Sequence, residues 1–267
     1  MNKKTLLLLL FLLLPFLLQA QDNLLWKFKT NGSVYASPLV DGDLVYVGSG
    51  DHSMYAIHRK SGKKVWEFRT AGAVHSSPAV AGQAVYFGSA DGTLYALNKM
   101  NGKLLWKFTS GGEKAYDLWD YYLSTPRIAE GTVYWGSGDG HLYALESNTG
   151  NLKWKFKTND VVHATPAVAD GKVYFGSFDG LFYALDAGSG ALIWKFQTVG
   201  DTHFPKGEIQ EGAMVQDGVV YFGSRDYNLY ALDAKTGRGR WNMKERGSWV
   251  VATPLLYKDR LYVGTSD

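Results

Sequence analysis

The amino-acid sequence predicts an all-β fold, a β-propeller built from four-stranded antiparallel blades. First, a tryptophan returns at intervals of 40, 40, 48, 40 and 47 residues, and versions of S/T-P, V-Y-x-G-S, L-Y-A-L and T/S-G recur between the returns. Second, each copy divides into four runs of β-favouring residues separated by turn sequences. A period of this size indicates one supersecondary unit repeated in tandem. The repeated residues are Trp26, Trp66, Trp106, Trp154, Trp194 and Trp241.

The second copy displays the four expected strands clearly. Its Asx-Gly turns suit tight hairpins whose residues need positive φ, and no helical period is visible after the N-terminal segment. The expected strands are Val74–Val80, Ala84–Ser89, Thr93–Asn98 and Leu104–Phe108.

The variation in repeat length indicates where one blade ends. The hairpin turns keep nearly constant length, whereas the extra residues of the long periods fall between a Trp strand and the next Pro strand. A link that tolerates insertions joins two units, so each blade runs from an innermost Pro strand to an outermost Trp strand, with the blades set radially. Leu24–Thr30 is then an orphan outermost strand that should complete the last blade. The sixth copy has only strands near Pro254 and at Arg260–Gly264, which favours truncation from a larger propeller over a genuinely short chain.

The first 20 residues are predicted to be a secretory signal peptide. Lys3 and Lys4 precede the apolar run Leu6–Leu14, and Ala20 offers a cleavage point. A membrane anchor is the alternative, although the run is short for a spanning helix. Residues 21–267 would then form one C-terminally incomplete propeller domain in the periplasm or outside the cell, with no remaining transmembrane segment.

Charge and cysteine content exclude several function classes. The net charge of +3 falls to +1 once Lys3 and Lys4 are removed, so nothing favours nucleic acid or a polybasic membrane contact. The chain has no cysteine, and so it has neither a disulfide nor a cysteine for lipid attachment.

Three copies carry the motif A-x-D/N-x-x-T/S-G-x-x-x-W, at Ala96–Trp106, Ala184–Trp194 and Ala231–Trp241, whereas His58 and Glu146 replace the Asp or Asn elsewhere. By this motif, residues 24–267 resemble the pyrroloquinoline-quinone (PQQ) repeat family. The resemblance implies that each repeated indole docks on the neighbouring blade near its glycine. It does not fix function, because the family includes PQQ-dependent alcohol and sugar dehydrogenases, the BamB-type component of outer-membrane protein assembly, and exported sensor modules.

Repeated aspartates raise the question of a calcium site. Each lies in a hairpin turn, where a carboxylate usually caps its own turn. Five carboxylates spread over five blades do not converge on one ion, so we predict no metal site. These residues are Asp51, Asp91, Asp139, Asp179 and Asp226.

The candidate binding residues come from the two insertions and the innermost strands. Residues 111–122 and 201–212 are both blade-to-blade links, so we expect them on one face, where loops that depart from a repeat commonly bind ligands. Three positions before the prolines stand Tyr35, His75, Leu123, His163 and Val251, which should face the central funnel on that side. Simple loop packing and ordinary channel-lining histidines are the alternative interpretations. The candidate ligand- or partner-binding residues are Tyr35, His75, His163, Asp117, Trp119, Asp120, His203 and Glu208.

We predict an exported, non-catalytic binding or scaffold module without a cofactor, whose protein, peptide or saccharide partner binds the face that carries the insertions. The sequence has no metal-ligand spacing, no evident Ser-His-Asp arrangement and no C-x-x-C-H haem motif. The resemblance leaves a PQQ-dependent dehydrogenase, or a fragment of one, as the alternative, with PQQ and calcium as cofactors. Trp119, Asp117 and Asp120 offer suitable residue types for that chemistry. A fragment of a larger sensor is a third hypothesis.

Overall fold

Five four-stranded antiparallel sheets and one two-stranded sheet form the regular structure of the computed structural model. The structure describes residues 24–115, 117, 120–245 and 247–266. Within these ranges each strand pairs with its neighbour in sequence, so every sheet is a simple meander, and there is no helix, hence none that could cross a membrane. The predicted signal peptide lies outside the described residues.

The strands fall into six blades, numbered in chain order. The first three blades contain Leu39–Asp41 (β1), Leu44–Ser49 (β2), Ser53–His58 (β3) and Lys64–Arg69 (β4); Ala79–Ala81 (β5), Ala84–Ser89 (β6), Thr93–Asn98 (β7) and Leu104–Thr109 (β8); and Arg127–Ala129 (β9), Thr132–Ser137 (β10), His141–Glu146 (β11) and Leu152–Lys157 (β12). The last three contain Ala167–Ala169 (β13), Lys172–Gly176 (β14), Leu181–Asp186 (β15) and Leu192–Gln197 (β16); Met214–Gln216 (β17), Val219–Gly223 (β18), Asn228–Asp233 (β19) and Gly239–Lys244 (β20); and Leu255–Tyr257 (β21) with Arg260–Tyr262 (β22).

The radial arrangement is visible at the centre of the molecule. One cavity on the axis is lined by residues of all six innermost segments, among them Tyr35, His75, Leu123, Glu211 and Val251. The predicted propeller of four-stranded blades is therefore confirmed, with a sixth blade of two strands.

The innermost strands are shorter than the sequence suggested. In the second blade, sheet pairing covers Ala79–Ala81 and leaves residues 74–78 outside the sheet. Ser76 bonds instead to the next blade: its backbone forms a parallel bridge to Leu123, and its side-chain hydroxyl donates to the Ser124 carbonyl (2.9 Å). These segments thus tie neighbouring blades together around the axis.

The hydrophobic core lies between consecutive blades. One cluster joins Tyr46 and Trp66 of the first blade to Phe87 and Leu97 of the second, and similar clusters join the later pairs. The second strands are buried along their whole length in the first three blades. A neighbouring blade covers their faces, except that Trp26 and Phe28 of the N-terminal segment cover one face of the first blade. Loss of one such aromatic side chain typically costs about 3–5 kcal/mol.

The expected closure of the ring by Leu24–Thr30 is not formed. This segment lies against the first blade but pairs with no strand, and β21 and β22 form a sheet by themselves. A third strand would have to lie between β22 and Leu24–Thr30, and residues 263–266 supply only an isolated bridge at Thr265.

Candidate functional site

Five of the six repeated indoles lie on a glycine of the following blade. A Cβ added to these glycines, whose φ values are +67° to +74°, would lie 2.6–2.8 Å from the indole. Each indole N–H also donates to a backbone carbonyl of that blade at 2.6–3.1 Å. Trp241 differs and is 45 % exposed, because the two-stranded sixth blade offers it no such turn. The pairs are Trp26 with Gly62, Trp66 with Gly102, Trp106 with Gly150, Trp154 with Gly190, and Trp194 with Gly237.

The repeated aspartates connect each turn to the link that precedes it. Asp91 accepts hydrogen bonds from the Tyr95 hydroxyl (2.8 Å), from the Thr93 N–H (2.9 Å) and from the Ala71 N–H in the preceding link (3.0 Å). Burial, followed by the hydrogen bond and charge of Asp91, raises the pKa of Tyr95 to about 12. The tyrosine therefore stays protonated and can donate.

Two described residues of the first insertion bring carboxylates to one histidine. His163 Nδ1 lies 2.8 Å from Asp120 Oδ1, and Nε2 lies 2.5 Å from Glu113 Oε1. All three side chains are almost completely buried. The Gly138 N–H also donates to Glu113 Oε1 (2.7 Å), which fixes that carboxylate.

His163 carries a positive charge in this environment. Burial alone would lower its pKa, but the hydrogen bonds and negative charges of Asp120 and Glu113 outweigh burial and raise the pKa to about 9. Both ring nitrogens are then protonated, and each donates to a carboxylate. The result is a buried ion triad that holds the insertion to the fourth blade.

The buried side chain of Arg225 forms a second ionic contact with the same insertion. Its side chain is 1 % exposed, and Nη1 donates to Asp117 Oδ2 at 2.6 Å. Nε and Nη2 donate to Gln210 Oε1 at 3.1 and 2.9 Å. The guanidinium lies 4.8 Å from the ring centroid of Phe178 and 5.1 Å from that of Trp249, so cation–π contacts add to the ion pair.

The shared contact with Arg225 shows that both insertions lie on one face. Asp117 belongs to the first insertion and Gln210 to the second. We call this the insertion face. The sheet register explains the position of Gln210, because Ala167 pairs with Tyr174 and Met214 pairs with Tyr221, which makes Gln210 the fifth-blade equivalent of His163.

The opposite side of the axis is aromatic. The rings of Tyr35 and His75 meet edge to face at 5.0 Å, and Tyr35 stacks on Tyr121 at 5.2 Å. Burial lowers the pKa of His75, with a smaller opposing effect from a hydrogen bond to the Tyr121 backbone. Tyr35, Tyr121 and Tyr122 are each 39 % exposed and form an aromatic surface beside the axis.

The structure brings together most of the residues that the sequence proposed for the site. His163 contacts Asp120, Tyr35 contacts His75, and Asp117 reaches Arg225. Glu208 is buried nearby, and its carbonyl accepts the Arg225 N–H (2.9 Å).

Two of the proposed residues stand apart from this group. The side chain of His203 is 76 % exposed and pairs with Asp201 at the surface of the second insertion. Trp119 lies outside the described residues.

Sequence reasoning missed Glu113 and Arg225. Glu113 had no pattern to mark it beyond its place in the insertion. Arg225 did have a signal, because it precedes the repeated aspartate at a position where the other copies have Gly50, Ala90, Gly138 and Phe178. A charged residue at a position that is otherwise small or apolar indicates a local departure from the repeat.

The described residues on the insertion face do not fit a quinone with calcium. The flat space between Phe178 and Trp249 is taken by the Arg225 guanidinium. The carboxylates of Glu113, Asp117 and Asp120 each face a basic side chain. No group of three or more histidine, aspartate or glutamate side chains in the described ranges could hold a metal ion.

Fold and site together define a tandem-repeat propeller with ion pairs beside its axis on one face. The family model described as outer membrane protein assembly factor BamB matches residues 17–126, 118–204 and 183–267. The chain therefore belongs to this family of BamB-like PQQ repeats. No curated protein matches the sequence.

Solved structures share this fold at low sequence identity. BamB from Moraxella catarrhalis superposes with a TM-score of 0.76 at 19 % identity, over 91 % of this chain and 74 % of that one. A europium-containing methanol dehydrogenase gives 0.65 at 17 % identity, over 83 % and 53 %. Quinohemoprotein alcohol dehydrogenase from Comamonas testosteroni gives 0.67 at 16 % identity, over 81 % and 44 %. This chain thus spans about three quarters of the BamB structure and about half of the dehydrogenases.

Proposed function

We propose that this protein is an exported, non-catalytic binding module that holds a protein or peptide partner on its insertion face. The observation that carries the proposal is the exposed tyrosine surface of Tyr35, Tyr121 and Tyr122 beside the ion pairs that hold the first insertion. Tyrosine offers a large, rigid contact area together with a polar hydroxyl, and it is enriched at protein interfaces.

The family supports the same conclusion. Its model carries the name of an outer membrane protein assembly factor, so a protein partner in the periplasm is the expected kind of ligand. Ion pairs that fix the first insertion also pre-organise the tyrosines, which lowers the entropic cost of binding.

Site-specific photo-crosslinking tests the proposed surface. A benzophenone amino acid at Lys114, on the first insertion, should give a defined protein adduct in the cell. The same group at Met100, which is 58 % exposed in a turn at the far end of the blade, is the matched control and should not give that adduct. The double change Tyr121→Ser with Tyr122→Ser should abolish the Lys114 adduct. Equal adducts from both positions, or an adduct that survives the double change, would contradict the proposal.

The dehydrogenase alternative has a separate test. If the protein is a binding module, adding PQQ with saturating calcium should not quench tryptophan fluorescence, and no alcohol should reduce a redox dye. A saturable, calcium-dependent quench with dye reduction would instead establish a quinoprotein.

Export is tested at the N-terminus. The double change Lys3→Glu with Lys4→Glu should retain the precursor inside the cell, because the charged region of a signal peptide is needed for export. Normal export of that variant would contradict the proposed localisation.

A further inference from the structure

A cavity of about 340 Å³ lies on the axis, between the innermost segments of the blades. Its lining includes the aromatic residues Tyr35 and His75, and also His163 of the ion triad. Its volume falls in the range of small-molecule sites, which is roughly 300–1,000 Å³, and exceeds the space that a single water or ion needs. The cavity shares Tyr35 and Tyr122 with the tyrosine surface proposed above for a protein partner, but its Ser/Thr hydroxyls and Glu211 are not part of that surface.

Five serine and threonine side chains line this cavity. Each comes from the residue before the proline of a different innermost strand, and each hydroxyl has one donor and two acceptor positions. Two of the oxygens accept a backbone N–H from the preceding blade, from Ser37 to Ser77 (2.9 Å) and from Thr125 to Thr165 (3.4 Å), and still keep further capacity. The hydroxyl residues are Ser37, Ser77, Thr125, Thr165 and Thr253.

The fifth blade departs from this ring. Its equivalent position is Gly212, where an added Cβ would lie 2.7 Å from Thr253 Oγ1 and 3.1 Å from Thr165 Cβ. The glycine lets the fifth strand approach its neighbours closely and leaves space beside the preceding residue. That residue is Glu211, which lines the cavity.

Glu211 brings an uncompensated carboxyl group to the cavity. Among the described residues no hydrogen-bond donor or basic group pairs with its side chain. Burial, followed by the negative charge of Asp120, raises its pKa to about 7. The nearby cations are already engaged, His163 by two carboxylates and Arg225 by Asp117. An ionised carboxylate away from bulk water is costly unless a cation pairs with it.

We propose that this cavity binds a small organic molecule through a primary ammonium group, which pairs with Glu211 and donates to the ring of hydroxyls. An ammonium group has three donors and no acceptor, which matches one carboxylate surrounded by hydroxyl oxygens. A bare metal ion fits less well, because the described residues supply a single free carboxylate and no cluster of metal ligands.

Calorimetric titration of the full chain with n-butylammonium chloride tests this inference, with 1-butanol as the neutral analogue of similar shape. EDTA removes metal ions, and pH 8.5 keeps Glu211 ionised and the alkylamine protonated. We expect saturable binding of the amine, at least tenfold tighter than binding of the alcohol.

Variants locate the binding group. Glu211→Gln should weaken amine binding at least tenfold and should leave the fold intact, because it removes an unpaired charge. Thr253→Val, nearly the same shape, should weaken it several-fold. Glu146→Gln alters an exposed carboxylate at the end of β11 and should have no effect. Unchanged affinity in the folded Glu211→Gln variant, equal binding of 1-butanol, or no saturable amine binding would each overturn the proposal.

Discussion

The two sides of the axis on the insertion face are built from equivalent positions and differ in chemistry. His75 and His163 both stand three residues before the proline of an innermost strand, two blades apart. His75 packs against Tyr35, and burial lowers its pKa. His163 lies between Asp120 and Glu113, which raise its pKa to about 9. The difference comes from the partners that the first insertion supplies, because the repeat places both rings in the same way.

This difference divides the face into two functional parts. The charged half contains Glu113, Asp117, Asp120, His163 and Arg225; its charges are paired and, except for the partly exposed Asp117, buried, so it fixes the insertion. The aromatic half contains Tyr35, His75, Tyr121 and Tyr122, and its tyrosines keep exposed surface. Because the charged half fixes the insertion, the tyrosines of the aromatic half are held in place before a partner binds, as a pre-organised binding surface requires.

Removing each histidine should reveal the largest contrast. His163→Leu leaves two carboxylates facing each other in a buried place, and breaking a buried ion pair in this way costs about 3–5 kcal/mol. His75→Leu removes a neutral ring and a single backbone hydrogen bond, which costs about 1 kcal/mol. Urea unfolding at pH 7 measures both free energies. Similar losses for the two variants would show that the halves do not differ as the pKa directions indicate.

The pH dependence of stability should run in opposite directions for the two histidines. The pKa of His163 is raised from 6.5 to about 9, so its contribution is fully present below pH 6.5 and is lost as the pH rises through 9. The shift corresponds to about 3 kcal/mol. The pKa of His75 is lowered, so its contribution is present above pH 6.5 and is lost as the pH falls through the folded-state value.

Comparing wild type with a glutamine variant at each histidine separates that histidine's contribution to the unfolding free energy from those of other titrating groups. The free-energy difference between wild type and His163→Gln should shrink between pH 6 and pH 10. The corresponding difference for His75→Gln should shrink as the pH falls below 6.5. A difference that stays constant with pH for either pair would contradict the assigned protonation state.

The sequence predicted some residues of each half, but it did not predict the contacts that join them. The repeat locates Tyr35, His75 and His163 at the funnel, because their positions relative to the prolines recur in each copy. Asp120 was among the proposed residues, but its pairing with His163 and the second partner, Glu113, could not be predicted, because both carboxylates lie on an insertion with no repeat to set its path. The ion pair between Asp117 and Arg225 joins residues 108 positions apart, and no local pattern encodes such a contact.

The lack of a local signal for long-range contacts also explains why the innermost strands differ from the prediction. Hairpin turns and the second and third strands follow local residue patterns, and their bounds in the second blade agree with the prediction. The innermost strands are shorter than predicted because residues such as Ser76 bond to the neighbouring blade. Whether a strand pairs within its blade or across to the next depends on tertiary contacts, which override local propensity.

A conservative change at Arg225 should test whether the charged half depends on planar geometry. Lysine keeps the charge, but it cannot fill the space between Phe178 and Trp249 or bond twice to Gln210. We expect Arg225→Lys to lower the free energy of unfolding by about 1–3 kcal/mol, comparable to the loss of buried hydrogen bonds to a charged group. Thermal unfolding at pH 7 measures the loss, and Arg240→Lys, at a largely exposed ion pair, is the control. An unchanged melting temperature for Arg225→Lys would show that charge alone suffices.

The smallest effect should come from the third histidine of the proposed site. His203 belongs to an insertion on the same face, but its side chain is 76 % exposed and meets only the surface carboxylate Asp201 among the contacts that the structure describes. Exposed ion pairs contribute about 0–1 kcal/mol, and surface substitutions usually change stability by less than about 0.5 kcal/mol. His203→Ala should therefore leave both the unfolding free energy and the Lys114 crosslink unchanged. A loss of the crosslink with stability intact would extend the contact surface from the aromatic half to the second insertion, and the division of the face would then have to be redrawn around partner contacts.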